Sequence, residues 1–285
     1  MTELTMKRVK GDGVEIQLAV WEGEGENILC VHGLTANCRC WDEMASCLTP
    51  AHAFLAVDLR GRGLSDKPAG GYSIAHHIRD IYCLLEDCGL KQVVLMGHSL
   101  GAYISLAFAA SYPDRTKKII LIDGGGHLAP AQWDKVDLAI KPSLERLGRV
   151  FPSFEDYVAP LKAVPILQPW TPAIEAYFRY ESEEVEGGVR SRIHLDHIQE
   201  EIRNMRQAVP SDFYPRVTCP VLILRATDGI LSPDDLVLPE PAAERMVAEL
   251  ASAQRVDIPG THHYSIVLQP SEQRDEAILD FLTES

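Results

Sequence analysis

The sequence contains no apolar run that approaches the about 20 residues needed to cross a bilayer. The first stretch, MTELTMKRVKGDG, carries charges at short intervals. It also lacks the basic segment followed by an apolar segment that is typical of a secretory signal. These absences argue against a membrane-spanning helix and a secretory leader, so we expect a soluble, cytoplasmic protein.

Basic residues are scarce relative to acidic ones. The chain has 27 Lys and Arg against 41 Asp and Glu, which gives a formal net charge of −14. Nucleic-acid binding depends on clustered Lys and Arg, and the sequence displays no such cluster. We therefore predict no nucleic-acid partner, and we attribute the acidic excess to solubility.

Regular cysteine spacing is also missing. The seven cysteines are odd in number and fall mostly within predicted strands and helices, unlike those of a disulfide framework. Cys38 and Cys40 form a C-x-C pair, but no second pair follows at zinc-site spacing. We predict reduced thiols that pack as small residues, and no metal site.

Short apolar runs dominate what is present. The alternating segments LTMKRV and VEIQLAVW flank KGDG, which predicts an opening β-hairpin. Continuous apolar runs then follow at 27–33, 53–59, 92–98, 118–124 and 220–227. Predicted helices lie at about 38–48, 74–88, 100–112, 242–252 and 271–283. Strands that are apolar on both faces indicate a mostly parallel central sheet with helices on both faces, an α/β fold.

The alternation stops between about residues 128 and 210. Strand patterns vanish there, and helical segments separated by several prolines and one acidic run take their place. The strand pattern resumes at PVLIL. We therefore predict a core domain from residues 1–127 and 211–285, with residues 128–210 forming a helical cap inserted after the sixth strand.

The stretch VVLMGHSLGAY places Ser99 in a G-x-S-x-G motif between a predicted strand and a predicted helix. At such a strand-to-helix turn the central residue has a strained backbone that exposes its side chain. A serine hydroxyl is a poor nucleophile that needs a base, and the base needs an orienting carboxylate. The context therefore indicates that Ser99 is a nucleophile.

Five segments together resemble the α/β-hydrolase superfamily, in particular its capped esterase-like group. They are VHGLT, DLRGRGLSDKP, GHSLGA, PVLILRATDGILSP and IPGTHHYSIVLQPSE. The resemblance covers nearly the whole chain outside residues 128–210. It implies the α/β-hydrolase fold and a Ser-Asp-His triad that works without a cofactor.

The resemblance also assigns the base and the acid. His263 has the family's spacing to the following aromatic and proline, whereas His262 stands where a glycine is usual. The order of nucleophile, acid and base favours Asp228 directly after a strand, with Asp234 and Asp235 as rivals in the same loop. Asp123, after the preceding strand, is a further alternative that we interpret as a strand-end residue.

Substrate-facing groups follow from the same reasoning. The backbone N–H groups of Leu34 and Leu100 are expected to form the oxyanion hole, with His32 holding the loop. The candidate pocket residues are His98 and the cap aromatics Trp133, Trp170, Tyr177 and Phe178. A lid with an apolar underside would exclude water from the reaction.

The predicted activity is hydrolysis of a small to medium, partly apolar carboxylic ester or lactone through an acyl-enzyme intermediate. The partner is then a small-molecule substrate. The same machinery also serves C–C bond hydrolases, amidases and perhydrolases, and some proteins of this fold that retain the triad act as small-molecule receptors. These alternatives stay open from the sequence.

Overall fold

A computed structural model describes residues 3–284 of the chain. Its strands are β1 (Leu4–Lys10), β2 (Glu15–Trp21), β3 (Asn27–Val31), β4 (Ala53–Val57), β5 (Val93–His98), β6 (Thr116–Ile122), β7 (Ser182–Val185), β8 (Gly188–Ser191), β9 (Val221–Ala226) and β10 (Ala253–Ile258). Its helices are α1 (Asp42–Leu48), α2 (Ile74–Asp87), α3 (Leu100–Ser111), α4 (Pro130–Glu145), α5 (Phe154–Lys162), α6 (Pro172–Glu181), α7 (Leu195–Met205), α8 (Glu240–Glu249), α9 (Ser265–Leu268) and α10 (Glu272–Thr283).

The central sheet has eight strands in the order β1-β2-β4-β3-β5-β6-β9-β10. The pairs from β4 to β10 are parallel, whereas β2 runs antiparallel to both β1 and β4. This arrangement confirms the predicted mostly parallel sheet and its opening hairpin. It also brings the carboxyl ends of β5, β6, β9 and β10 to one edge, where their following loops meet.

Burial explains why the strands are apolar on both faces. In β3, Leu29 and Val31 pack into one core cluster, whereas Ile28 and Cys30 pack into a second cluster on the opposite face. Successive side chains of a strand point to opposite faces, so a sheet covered on both sides needs an uninterrupted apolar run. The two clusters together form the core around the sheet.

The segment between β6 and β9 contains helices α4 to α7. It also contains a small antiparallel hairpin, β7 and β8, in which Ser182 pairs with Ser191. The expectation that strands vanish in this segment is therefore wrong. The hairpin forms in the acidic run SEEVEGG and the residues that follow it. Gly187 adopts a φ of 88° and so closes the tight turn between the two short strands.

The cysteines are all free thiols in the described residues, and Cys30, Cys38 and Cys40 are buried. Burial raises the pKa of each of these three thiols well above its ordinary value. They therefore pack as neutral side chains. Within residues 3–284, no helix combines the length and the apolar character needed to cross a bilayer.

Candidate active site

Ser99 lies at the turn between β5 and α3 with φ 55° and ψ −120°. This left-handed region is costly for a residue with a side chain, and such strain concentrates at functional sites. The flanking glycines permit the turn, because a Cβ atom on Gly97 would overlap the Gly101 carbonyl and one on Gly101 would overlap the Val31 carbonyl. The strand-to-helix elbow therefore projects the Ser99 side chain from the sheet edge.

The imidazole of His263 lies in the loop after β10 and is nearly buried. Its Nδ1 is 2.7 Å from Oδ2 of Asp123, the residue that directly follows β6. Within residues 3–284, its Nε2 has no hydrogen-bond partner, and the ring lines the same cavity as Ser99. A contact between a serine and its base commonly tightens only when substrate binds. The arrangement leaves Nε2 available to the hydroxyl.

Asp123 itself is held firmly at the sheet edge. Its backbone N–H donates to the Leu224 carbonyl at 2.8 Å, and its Oδ1 accepts from the Ala226 N–H at 3.3 Å. The residue has a positive φ of 44°, which turns its side chain back toward the neighbouring strands. Because this carboxylate contacts both β9 and His263, it is suited to fix the imidazole in one orientation.

The assignment of the acid to Asp228 is corrected by this geometry. Asp228 is exposed, and its carboxylate accepts a hydrogen bond from the neighbouring Thr227 hydroxyl at 3.0 Å. Its backbone N–H donates to the Thr261 carbonyl. Within residues 3–284, no hydrogen bond or ion pair joins Asp228 to His263, whose partner is Asp123.

The two rival carboxylates in the same loop also have other partners. Asp235 accepts hydrogen bonds from the backbone N–H groups of Ile230, Leu231 and Ser232, so it closes the turn as an internal cap. Asp234 forms an exposed ion pair with Lys135 at 2.7 Å. Neither residue contacts the imidazole.

The adjacent histidines have different surroundings. His262 Nδ1 accepts from the backbone N–H groups of Tyr264 and Ser265 at 3.3 and 3.4 Å. It therefore fixes the turn that begins α9. His263 is the histidine that the structure directs toward Asp123.

The candidate oxyanion donors face the same cavity. Leu34 follows Gly33 in the loop after β3, and Leu100 is the first residue of α3; both line the cavity beside Ser99. Within the described chain, neither backbone N–H donates to a protein acceptor. The first N–H groups of a helix are free by construction, so both amides are available to a developing negative charge.

The loop that carries Leu34 is held by a neutral histidine. The Leu59 backbone N–H donates to Nε2 of His32 at 3.1 Å, so Nδ1 carries the proton and donates to the Gly33 carbonyl at 2.7 Å. Burial lowers the pKa of His32 to about 4, although the Asp58 carboxylate opposes this change. His32 therefore orders the loop, as predicted.

A buried ion pair connects the same loop to helix α7. Nε of Arg62 donates to the Leu34 carbonyl at 3.0 Å, and its Nη2 donates to Glu201 of α7 at 3.1 Å. Glu201 also contacts His77 of α2 at 2.7 Å. All three side chains are fully buried. Helix α7 is thereby anchored to the loop that carries Leu34.

We expect Glu201→Gln to destabilise the protein by about 3–5 kcal/mol, because it leaves the buried guanidinium uncompensated. Burial favours the neutral acid, but His77 and Arg62 outweigh it and lower the pKa of Glu201 to about 2, from an ordinary value of 4.5. The folded state therefore has the lower pKa, so this stabilisation is full above pH 4.5 and is lost as the pH falls toward about 2.

Urea unfolding at neutral and acidic pH measures this effect. The difference in free energy of unfolding between wild type and Glu201→Gln should become smaller as the pH falls from 4.5 toward about 2. Glu244→Gln, an exposed position on α8, is the control and should change stability by less than about 0.5 kcal/mol. Equal losses for both variants would contradict the interpretation of the ion pair.

His98 supports the backbone of His263. Its Nε2 donates to the His263 carbonyl at 2.9 Å, and the two rings lie with centroids 4.5 Å apart. Burial lowers the pKa of His98 well below its ordinary value, and the neighbouring His263 lowers it further, so the ring is neutral. It lines the same cavity as Ser99, and its hydrogen bond fixes the backbone of His263.

The cavity lined by Ser99 and His263 encloses about 850 Å³ of space, including its open mouth. Trp133 and Tyr177 line it, as expected for cap aromatics. Trp170 lies outside it, which corrects that expectation: its ring stacks on Phe178 at 5.4 Å, and the Lys162 ammonium lies over it. Phe178 lines an adjoining cavity instead.

Several lining residues were missed by the sequence reasoning. Apolar residues of α4 and α7 line the cavity, together with Tyr103 of α3 and Tyr264. Tyr103 lies four positions after Ser99, one helical turn away. This spacing indicates from the sequence that Tyr103 lies on the same side of the helix as Ser99. The sequence offers no such signal for the lining residues of α4 and α7, because helical spacing does not tell which face of a helix lies over Ser99.

Known proteins share this architecture. Residues 26–156 match the family described as alpha/beta hydrolase fold. The 2-(acetamidomethylene)succinate hydrolase of Mesorhizobium japonicum is 31% identical over 245 residues, which cover 81% of this chain and 85% of that protein. The 3-hydroxybutyrate-oligomer hydrolase of Cupriavidus necator is 24% identical over 265 residues, which cover 86% of this chain and 85% of that protein.

A crystal structure of E-2-(acetamidomethylene)succinate hydrolase has a TM-score of 0.86 and 26% identity, and the match covers 99% of this chain and 100% of that one. These relatives carry names of hydrolases, which supports hydrolase activity here. The sheet order, the strained serine elbow and a relative matched over most of both chains agree with one another. The chain therefore belongs to the α/β-hydrolase superfamily.

Proposed function

We propose that this protein is a serine hydrolase that cleaves a small to medium, partly apolar carboxylic ester or lactone. The observation that carries the proposal is the imidazole of His263, which is fixed by Asp123 at 2.7 Å on one side and faces the cavity of Ser99 on the other. A base held in this way can activate a serine hydroxyl at neutral pH.

The first half of the reaction forms an acyl-enzyme. The hydroxyl oxygen of Ser99 attacks the ester carbonyl carbon while Nε2 of His263 takes its proton. The amides of Leu34 and Leu100 bind the oxyanion, and each such donor supplies about 3–4 kcal/mol. The tetrahedral intermediate then collapses: the carbon–oxygen bond to the alcohol breaks, and His263 protonates the departing oxygen.

The second half releases the acid. A water molecule gives its proton to His263 and attacks the acyl carbon, and the oxyanion is held by the same two amides. The bond between the acyl carbon and the serine oxygen breaks, and that oxygen recovers the proton from His263. The carboxylate of Asp123 stabilises the imidazolium in both halves without taking its proton.

The side chains that line the cavity favour a substrate that carries no charge close to the reacting ester. Asp137 is the only Asp, Glu, Lys or Arg among its described lining side chains, and its carboxylate pairs with Arg206. Without a free cation beside Ser99, a carboxylate on the substrate would lose hydration and gain no partner. A substrate rich in carboxylates, such as the relative's name indicates for that protein, fits this lining poorly.

Steady-state kinetics with p-nitrophenyl butyrate and mono-p-nitrophenyl succinate test the proposal, because these esters share a leaving group. We expect multiple turnover of the neutral ester, with kcat/KM on the order of 10²-fold above that of the anionic ester. Asp137→Asn should make the ratio of kcat/KM between the two esters smaller. Asp134→Asn is the control, because Asp134 also pairs with Arg206, and it should leave that ratio unchanged. Preference for the anionic ester would contradict the substrate assignment.

A further inference from the structure

A second cavity adjoins the catalytic one beneath the cap segment. It encloses about 1290 Å³, including its mouth, and Thr35, Tyr177, Tyr264 and Leu268 line both cavities. These four residues therefore form a partition between them. The catalytic cavity is continuous with the second one wherever this partition opens.

The aromatic part of the partition is weakly tethered. The Tyr264 hydroxyl lies 3.1 Å from the Ser143 hydroxyl, and the Tyr177 hydroxyl donates to the Thr35 carbonyl at 3.4 Å. Hydrogen bonds between a hydroxyl and an oxygen are usually 2.7–2.8 Å long, so both contacts are long. The hydroxyl contact that rotation of either ring would break is therefore a long hydrogen bond.

The second cavity has a largely apolar interior. Its wall includes Phe151, Leu161, Val164, Leu167 and Phe178. Burying apolar surface against such a wall is favourable in proportion to the area removed from water. The interior is therefore suited to an alkyl chain or a similar group.

The one buried cation of this wall is already neutralised. Nη2 of Arg146 contacts Oε1 of Glu181 at 2.8 Å, and both side chains are buried. The Tyr157 hydroxyl donates to the same carboxylate at 2.5 Å. Arg149 and Glu145 lie exposed at the mouth. Within residues 3–284, the cavity therefore offers no unpaired buried charge to an ionic ligand, and an uncharged chain is the class of ligand that it fits.

We propose that this second cavity binds an extended apolar chain of the substrate, carried past Tyr177 and Tyr264 from the ester at Ser99. The inference rests on the proposed function and specifies its substrate class. An ester with a short chain would occupy the catalytic cavity alone. An ester with a long chain would fill both cavities and gain binding energy from the second.

The test compares p-nitrophenyl butyrate with p-nitrophenyl decanoate. Leu161→Trp, on α5, fills the second cavity, and Leu138→Trp places the same side chain at an exposed position of α4 outside both cavities. We expect Leu161→Trp to lower kcat/KM for decanoate by at least about tenfold and to leave butyrate within about twofold of wild type. Leu138→Trp should leave both values unchanged.

A second filling variant, Val164→Trp, repeats the test if Leu161→Trp fails to fold, as judged by its thermal unfolding. Equal losses for the two esters in a folded variant, or decanoate hydrolysis unaffected by either filled cavity, would overturn the inference while the proposed function stood. Absence of turnover of both esters by the wild type would overturn the proposed function, and this inference with it.

Discussion

Ser99→Ala is expected to lower kcat for p-nitrophenyl butyrate by at least about 10⁴-fold, because removal of a serine nucleophile abolishes the covalent route. The elbow itself should persist, since alanine retains the Cβ atom and the flanking glycines keep the close approach of β5 and α3. Burst-phase release of p-nitrophenol should vanish with the steady-state rate. The measurement is stopped-flow absorbance on the purified variant.

The control for this substitution lies on the same helix. Ser111 is the last residue of α3 and is exposed, so Ser111→Ala should keep wild-type kinetics. Thermal unfolding of both variants shows whether the fold is intact. Wild-type turnover by folded Ser99→Ala would contradict the assignment of the nucleophile.

Asp123→Asn is expected to lower kcat by about 10⁴-fold, as replacement of a triad carboxylate by an amide does elsewhere. The amide can donate a hydrogen bond to Nδ1 of His263, which favours the tautomer that carries its proton on Nε2. That tautomer cannot accept the proton of Ser99. Loss of the carboxylate also leaves the imidazolium without its stabilising charge.

Asp228→Asn provides the matched comparison, because it makes the same chemical change in the loop after the next strand of the sheet. Its carboxylate is exposed and bonds to Thr227, so kcat should stay within about twofold of wild type. Parallel measurements of kcat on the two variants decide between the carboxylates. A large loss of kcat in Asp228→Asn, with little loss of kcat in Asp123→Asn, would contradict the pairing of Asp123 with His263.

Much of the fold was predictable because the signals are local. The Asp-Gly turn between β1 and β2 and the apolar runs of β3 to β6 each specify their own structure. The hairpin of β7 and β8 was not predictable, since strands of four residues in an acidic run lack the apolar pattern that identifies a strand. Tertiary contacts, such as the pairing of Phe151 with Val189, help to hold it.

The candidate site was predictable in part for the same reason. Ser99 and His263 stand in motifs with their own spacing, whereas both Asp123 and Asp228 follow apolar strands and satisfy the required chain order. Only the folded sheet distinguishes them. Strand β6 lies beside β5, and the loop after β9 carries Asp228 to the surface.

Long-range pairings lay beyond the sequence altogether. Arg62 and Glu201 are 139 positions apart, and neither residue type nor spacing indicates that they meet. The same holds for Asp58 and Tyr180, whose hydroxyl donates to that carboxylate at 2.6 Å. These contacts join the segment between β6 and β9 to the loop after β4, so they follow from how the elements pack against one another.

Peptide mapping by mass spectrometry after exposure to a fluorophosphonate tests most directly whether Ser99 is an activated nucleophile. We expect a single phosphonyl adduct per chain, on the peptide that contains Ser99, and strongly slowed labelling of His263→Ala. An adduct on a different residue, or an unlabelled Ser99 in the folded wild-type protein, would contradict it.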